Sequence, residues 1–201
     1  MRGVKEVVRR YIDRKWHIKK CLQEGLINKS ALAREISKES GASFQAVLMS
    51  LRRINLGKNE LDKNIERILK SSRLSVRTGM GIAIGNRNLN EALRVMMEAY
   101  EQGEEFHLLK QSNVWVAVAP MSYIEKLREY CFKVHENVVE LVIRSPPEIE
   151  ETPGVLSEIL NYFRSEGINI LEFMSCWSDT ILVVDKKYMN RAVSIIEELL
   201  S

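Results

Sequence analysis

What the chain lacks narrows its chemistry first. Three cysteines, Cys21, Cys131 and Cys176, stand without a CxxC spacing, so neither a disulfide framework nor a thiolate metal site is expected, and the thiols read as reduced and mostly packed. The three histidines, His17, His107 and His135, are scattered and form no HxH or HExxH pair, which removes the usual metal signatures. No run of about 18 apolar residues is available to span a bilayer, and the N-terminus has no apolar stretch of signal-peptide type. A cytoplasmic chain without a membrane partner is expected. There is no Ser-His-Asp ordering, and the acidic pairs Glu104-Glu105 and Glu197-Glu198 read as solvated helix ends or loops. His107, flanked by Phe106 and Leu108, reads as a packed or half-exposed strand histidine rather than a base. The glycines of Thr78-Gly79-Met80-Gly81 and Gly85 have the wrong spacing for GxGxxG and no Lys-Ser/Thr pair follows. Close backbone packing at a bulged strand suits them better. No enzyme activity, cofactor or metal is therefore expected.

What is present is an ordinary globular composition, 45% hydrophobic and 28% charged over 201 residues, enough for one large domain or two to three small ones. The net charge of +3 conceals an asymmetry. Residues 1–58 hold fourteen Lys or Arg against five Asp or Glu, a net of +9, while the remainder holds sixteen against twenty-two, a net of −6. A basic head on an acidic body points to a polyanion partner for the head, with a merely solvated basic face as the alternative.

Apolar periodicity places a helix over Val4–Gln23, ended by Gly25, a second over Ala31–Glu39 with Ser30 as its N-cap, and a third from a Ser43 cap to about Ile54. Three short helices with a turn at Ser40-Gly41-Ala42 make an all-α helix-turn-helix candidate over residues 1–58. Ser43, Gln45, Ser50, Arg52 and Arg53 lie off the apolar face of the third helix, where glutamine and arginine suit base edges and serine suits phosphates. Lys29, Arg34 and Lys38 are placed to line a phosphate backbone. DNA is the candidate partner of this head, with docking onto a protein as the alternative. The run Asn55-Leu56-Gly57-Lys58 breaks the pattern, and Leu61, Ile65, Ile68 and Leu69 mark a connector or dimerisation helix over residues 59–72.

From Arg73 onward strands alternate with helices, and the order βαββα occurs twice, over 73–136 and 137–201. The first set is read as strand Leu74–Ile84, helix Leu89–Glu101, strands Phe106–Gln111 and Val114–Ala119, and helix Tyr123–Val134. The second is read as strand Val138–Arg144, helix Val155–Ser165, strands Ile168–Cys176 and Thr180–Val184, and helix Lys187–Leu200. Ser112-Asn113 and Ser178-Asp179 read as hairpin turns. The fold class is therefore α+β, an N-terminal helical bundle followed by two ferredoxin-like βαββα modules. A full ferredoxin-like sheet has a fourth strand, so the second module is expected to lack it or to borrow one from its sister or from a second chain.

Between the first strand and helix of the second module stands Glu151-Thr152-Pro153-Gly154-Val155-Leu156, and Gly167-Ile168-Asn169-Ile170 opens its next strand. Pro153 fixes one backbone angle and Gly154 permits close approach, leaving helix-start amides directed outward toward a small carboxylate. A rigid turn with no ligand is the alternative. The two motifs in this order resemble the ACT domain family, over about residues 138–201, whereas 73–135 matches by element order alone. The resemblance implies a regulatory module that binds an amino acid or related small metabolite at an interface between paired modules and signals to an attached or partner protein. On that footing Thr152, Pro153, Gly154, Val155 and Leu156 form the backbone cradle, and Ile168, Asn169 and Ile170 supply a facing strand. The first module has Gly85-Asn86-Arg87-Asn88 at the equivalent turn and no Pro-Gly, so it is expected to be a structural partner. The expected whole is a homodimer or higher oligomer that responds to an amino acid. It acts as a transcriptional regulator or, alternatively, as an allosteric subunit or adaptor of a metabolic enzyme, similar to the regulatory domains of aspartate kinases.

Overall fold

The computed structural model describes residues 3–56 and 60–201; of the break read over Asn55-Leu56-Gly57-Lys58, the first two residues are non-helical and the last two lie outside the described residues. The chain divides into a unit of Met1–Lys63 and a unit of Asn64–Ser201.

In the first unit the helices are α1 (Val4–Arg14), α2 (Trp16–Gln23), α3 (Lys29–Ser40) and α4 (Phe44–Arg53). The expected single helix over Val4–Gln23 is broken at Lys15, whose backbone leaves the helical region (φ −122°, ψ 73°). A tertiary contact favours the break: the Lys15 ammonium, 3.8 Å from the ring centre of Tyr11 on its own helix, lies 3.2 Å from Glu39 Oε2 of α3. Asn28, not Ser30, caps α3, its Oδ1 accepting from the Ser30 and Ala31 amides at 2.9 and 3.1 Å. Val8, Ile12, Leu22, Leu32, Ala33, Ile36, Val47, Leu48 and Leu51 form this unit's core.

Helix α5 (Glu60–Lys70) crosses the boundary between the units, and its last two turns belong to the second. Ile68 and Leu69 are 1% and 3% exposed inside that unit's main core. At roughly 1.5–3 kcal/mol per fully buried aliphatic side chain, an upper estimate, two such anchors hold a short helix firmly.

The rest of the second unit runs β1 (Arg73–Gly85), α6 (Leu89–Glu101), β2 (His107–Gln111), β3 (Val114–Pro120), α7 (Met121–Lys126), β4 (Lys133–Arg144), α8 (Val155–Ser165), β5 (Ile170–Cys176), β6 (Asp179–Asp185) and α9 (Met189–Leu200). The strands form one antiparallel six-stranded sheet in the order β2-β3-β1-β4-β6-β5. The two first strands, β1 and β4, lie side by side at its centre, so each module takes its fourth strand from its sister. The helix expected over Tyr123–Val134 stops at Lys126, and β4 starts at Lys133 rather than Val138. Pairing of Val134 and His135 with Ala83 and Ile82 outweighs the local helical pattern there. The β5–β6 hairpin turns at Trp177-Ser178, because Cys176 pairs with Asp179. Ser112-Asn113 turns the other hairpin, between Gln111 and Val114.

Along β4, Val139, Leu141 and Ile143 face helices α8 and α9, while Val138 and Val142 face the opposite side. That opposite side is also buried, through Met80, Ile82, Val118, Met174, Ile181 and Val183. The sheet curls to bring this about. Strands β2 and β4 are separated by two others, about 14 Å in a flat sheet, yet a side chain of one hydrogen-bonds a side chain of the other.

Candidate functional site

The segment from Ser145 to Val155 is built by short-range constraints. Pro146 and Pro147 start a single helical turn over Pro147–Glu150, and Thr152 Oγ1 donates to the Glu148 carbonyl at 2.8 Å. Gly154 then adopts φ +98°, a left-handed value that disfavours any side chain, and α8 begins at Val155. Gly154 O accepts from the Glu158 amide at 3.0 Å. No acceptor among the described residues bonds the Val155, Leu156 and Ser157 amides at the positive end of the helix.

Of the residues singled out by sequence, Thr152 to Leu156 come together at this turn. Pro153 and Gly154 are exposed, Thr152 and Leu156 are half-buried, and Val155 is turned into the core. Ile168, Asn169 and Ile170 stand elsewhere. They follow α8, whose eleven residues span about 16 Å, and they sit where Ile170 pairs with Val184, the end of the sheet opposite the Arg144–Asp179–Cys176 row. The facing strand expected from the motif is therefore not supplied within one chain, because β5 enters the sheet at the far end of the helix. Ile168 is 5% exposed and anchors the core, Ile170 packs against that core, and β5 itself starts at Ile170, two residues later than expected. Asn169 is exposed.

The equivalent turn of the first module is shut. Trp115, 1% exposed, lies against Gly85 and donates its Nε1–H to the Arg87 carbonyl at 2.8 Å, while Asn88 opens α6 at φ +53°.

In the first unit Gln45, Arg52 and Arg53 on α4, Ser43 before it, and Arg34 and Lys38 on α3 are exposed, whereas Ser50 and Lys29 are half-buried.

Sequence reasoning missed one polar cluster on the curled side of the sheet. Glu140, fully buried in β4, bonds Arg77 Nη1, its direct partner on β1, and its Oε2 lies 3.0 Å from His107 Nε2. Arg77 also reaches Glu105 Oε1 at 3.2 Å. Burial alone would raise the Glu140 pKa, but the hydrogen bonds and charges of His107 and Arg77 outweigh it and hold the carboxyl below its ordinary value. On the same cross-sheet row, beyond Val183, stands Glu172 of β5, whose pKa burial pushes up. The available signal was a lone charge inside the apolar run Val138–Ile143.

No helix among the described residues is long and apolar enough to cross a membrane, and no cluster of three or more His, Cys, Asp or Glu among them could hold a metal ion. No protein-family model matches the chain, and no curated protein is similar to it at a significant level. Among the solved structures similar in fold are two from aspartate kinases. One is the allosteric aspartate kinase of Clostridium acetobutylicum, with TM-score 0.51 and 14% identity over 64% of this chain and 34% of the kinase. The other is the ligand-free regulatory subunit of aspartate kinase from Thermus thermophilus, with TM-score 0.50 and 13% identity over 64% of this chain and 96% of that subunit. The chain thus spans about a third of the Clostridium enzyme's length and nearly all of the Thermus subunit's. In fold, this protein carries the paired, ACT-like βαββα arrangement of aspartate kinase regulatory regions.

Proposed function

We propose that the chain is a regulatory subunit or adaptor that senses an amino acid, or a related small metabolite with a carboxylate, and passes the state of that site to a metabolic enzyme. The observation that carries this reading is the Gly154 turn. A left-handed, exposed glycine opens a helix whose first three amides have no acceptor among the described residues, at the positive end of its dipole. The fold supports the reading, since it is shared with a protein described as a regulatory subunit.

Within one chain, β5 does not face the cradle of Thr152, Pro153, Gly154, Val155 and Leu156. Strand β5 is an edge of the sheet, and a two-fold pairing of copies would bring Ile168, Asn169 and Ile170 of one to the cradle of the other. In this reading the protein is a homodimer that completes its sites in this way.

A thermal-shift panel of the twenty amino acids tests the reading. Ligand at about 100 times its dissociation constant adds roughly 2.7 kcal/mol of stability, and the shift should vanish in Gly154→Asp and fall in Asn169→Ala. It should persist in Asn88→Gly, at the first module's turn. A panel with no stabilising amino acid, or equal loss in Gly154→Asp and Asn88→Gly, overturns the placement.

The charge asymmetry favours a second reading, for the first unit alone. With a net of +9 over residues 1–58, α3 and α4 serve as a helix-turn-helix. Gln45, Arg52 and Arg53 face base edges, and Ser43, Ser50, Lys29, Arg34 and Lys38 face the phosphate backbone. The protein would then be a transcriptional regulator. Duplex binding that weakens steeply with salt, about tenfold or more between 50 and 200 mM, supports it. No duplex binding at low salt, with or without amino acids, excludes it.

A further inference from the structure

Helix α5 is clipped at three points along the segment that forms the candidate turn. Near its middle, Ile65 Cδ1 lies 3.1 Å from the position a Cβ would take on Gly154. One turn on, Ile68 and Leu69 are buried in the same core as Val155, and Arg67 Nη1 stands 4.0 Å from Glu148 Oε1. Just past the helix end, the buried Ser72 hydroxyl is hydrogen-bonded to that of Ser145 at 2.8 Å and to the Ile68 carbonyl at 2.7 Å. Ser145, Glu148 and Gly154 are the start, middle and end of one segment, so α5 lies along the whole of it.

We propose that α5 is a strap that reads the Gly154 turn, with Ile65 as its contact. This inference rests on the sensor reading above and adds the route by which the site is transmitted. A ligand that approaches the Cα face of Gly154 meets Ile65 first, so occupancy and full docking of α5 compete. The exposed Arg67–Glu148 pair, at 4.0 Å, contributes little, and the Ser72–Ser145 bond and the Ile68 and Leu69 anchors form the hinge end. The Ile65 end is the weaker one: Ile65 is half-buried, and the helix continues from it back toward the first unit. Occupancy of the turn therefore loosens the part of α5 that leads to the other unit, while its C-terminal anchors stay seated.

Hydrogen–deuterium exchange of the α5 amides in the full chain tests this without any ligand. Gly154→Ala adds a Cβ against Ile65 Cδ1 and should speed exchange at Ile65–Leu69 about tenfold. Ile65→Val removes that Cδ1, so the double variant should return to within about twofold of Ile65→Val alone. If the double variant stays as fast as Gly154→Ala, the effect is only the backbone strain of an alanine at positive φ, and the strap is overturned. No change in Gly154→Ala overturns it too. A second arm adds each of the twenty amino acids singly at millimolar concentration. One that raises the melting temperature should also speed exchange around Ile65, whereas protection or no change there refutes the strap and leaves the sensor standing. If none raises the melting temperature while the cycle closes, the sensor reading fails and the Ile65–Gly154 coupling stands.

Discussion

Glu140→Gln is expected to lower the unfolding free energy of the second unit by about 2–4 kcal/mol, although the two side chains have nearly the same volume. The wild-type carboxylate accepts from both Arg77 and His107 while fully buried. An amide carries no charge and offers a single acceptor oxygen, so Arg77 loses its buried counter-charge and His107 keeps its bond only by turning from donor to acceptor. The cost lies toward the lower part of the range for an uncompensated buried charge, because the Arg77 side chain is 27% exposed and retains Glu105. For a unit of this size it corresponds to a fall of roughly 6–12 °C in melting temperature. The pH dependence has a definite sign. The folded carboxyl titrates below its ordinary value of 4.5, so it binds protons less tightly folded than unfolded. Its stabilisation is complete above about pH 4.5 and is lost as pH falls through the lower folded value. Glu140→Gln should accordingly flatten the acid limb of stability against pH. Denaturant titrations from pH 3 to 7 check both statements, and an unchanged free energy at pH 7 or an unchanged acid slope contradicts them.

The same pair bears on how the two modules are joined. Arg77 and Glu140 are direct partners across β1 and β4, one step from the register shift between Arg77 and Met80. A slip of one residue would turn Glu140 to the helix-bearing face, among Leu141, Ile143 and their neighbours, without a cation. The charge therefore penalises the wrong register of the strand pair that makes the sheet continuous.

Elements whose pattern is local were legible. Helices α6 and α8 have the bounds read from the sequence, because apolar spacing of 3.6 and the flanking asparagine and glycine agree with the packing. Elements decided by distant partners were not. Leu127, Cys131 and Val134 continue a helical spacing, yet Val134 faces Ala83 across a strand pair that no local pattern announces. The break at Lys15 has no glycine or proline, only Glu39 brought near by folding. For the candidate site, Pro153-Gly154 marked the turn through backbone chemistry that is written in the residues themselves. Its distance from Asn169 was also countable: the helix read over Val155–Ser165 already implied about 16 Å between the two motifs. Glu140 was hidden by curvature. Charge in a strand normally points to solvent, and the sequence does not state that this sheet buries both faces.

The second large effect concerns Trp115 and Gly85, direct partners across β3 and β1. An added Cβ at Gly85 would fall among the indole atoms Cζ2, Cε2 and Nε1, and the Gly85 backbone is not in the left-handed region, so the requirement there is for space rather than conformation. Trp115→Ala should cost roughly 3–5 kcal/mol, from the cavity and from the lost bond to the Arg87 carbonyl. Gly85→Ala should cost about 2–3 kcal/mol by overpacking. The two are not additive. With the indole gone the Gly85 methyl enters the vacated room, so the double variant should be no less stable than Trp115→Ala alone. Because β1 and β4 form one continuous sheet, the loss should appear in calorimetry as a single shifted transition of the second unit. Separate melting of the Trp115 module ahead of the Glu140 module would mean that the central strand pair does not couple them, and an effector bound at Gly154 would then have no rigid sister against which to act.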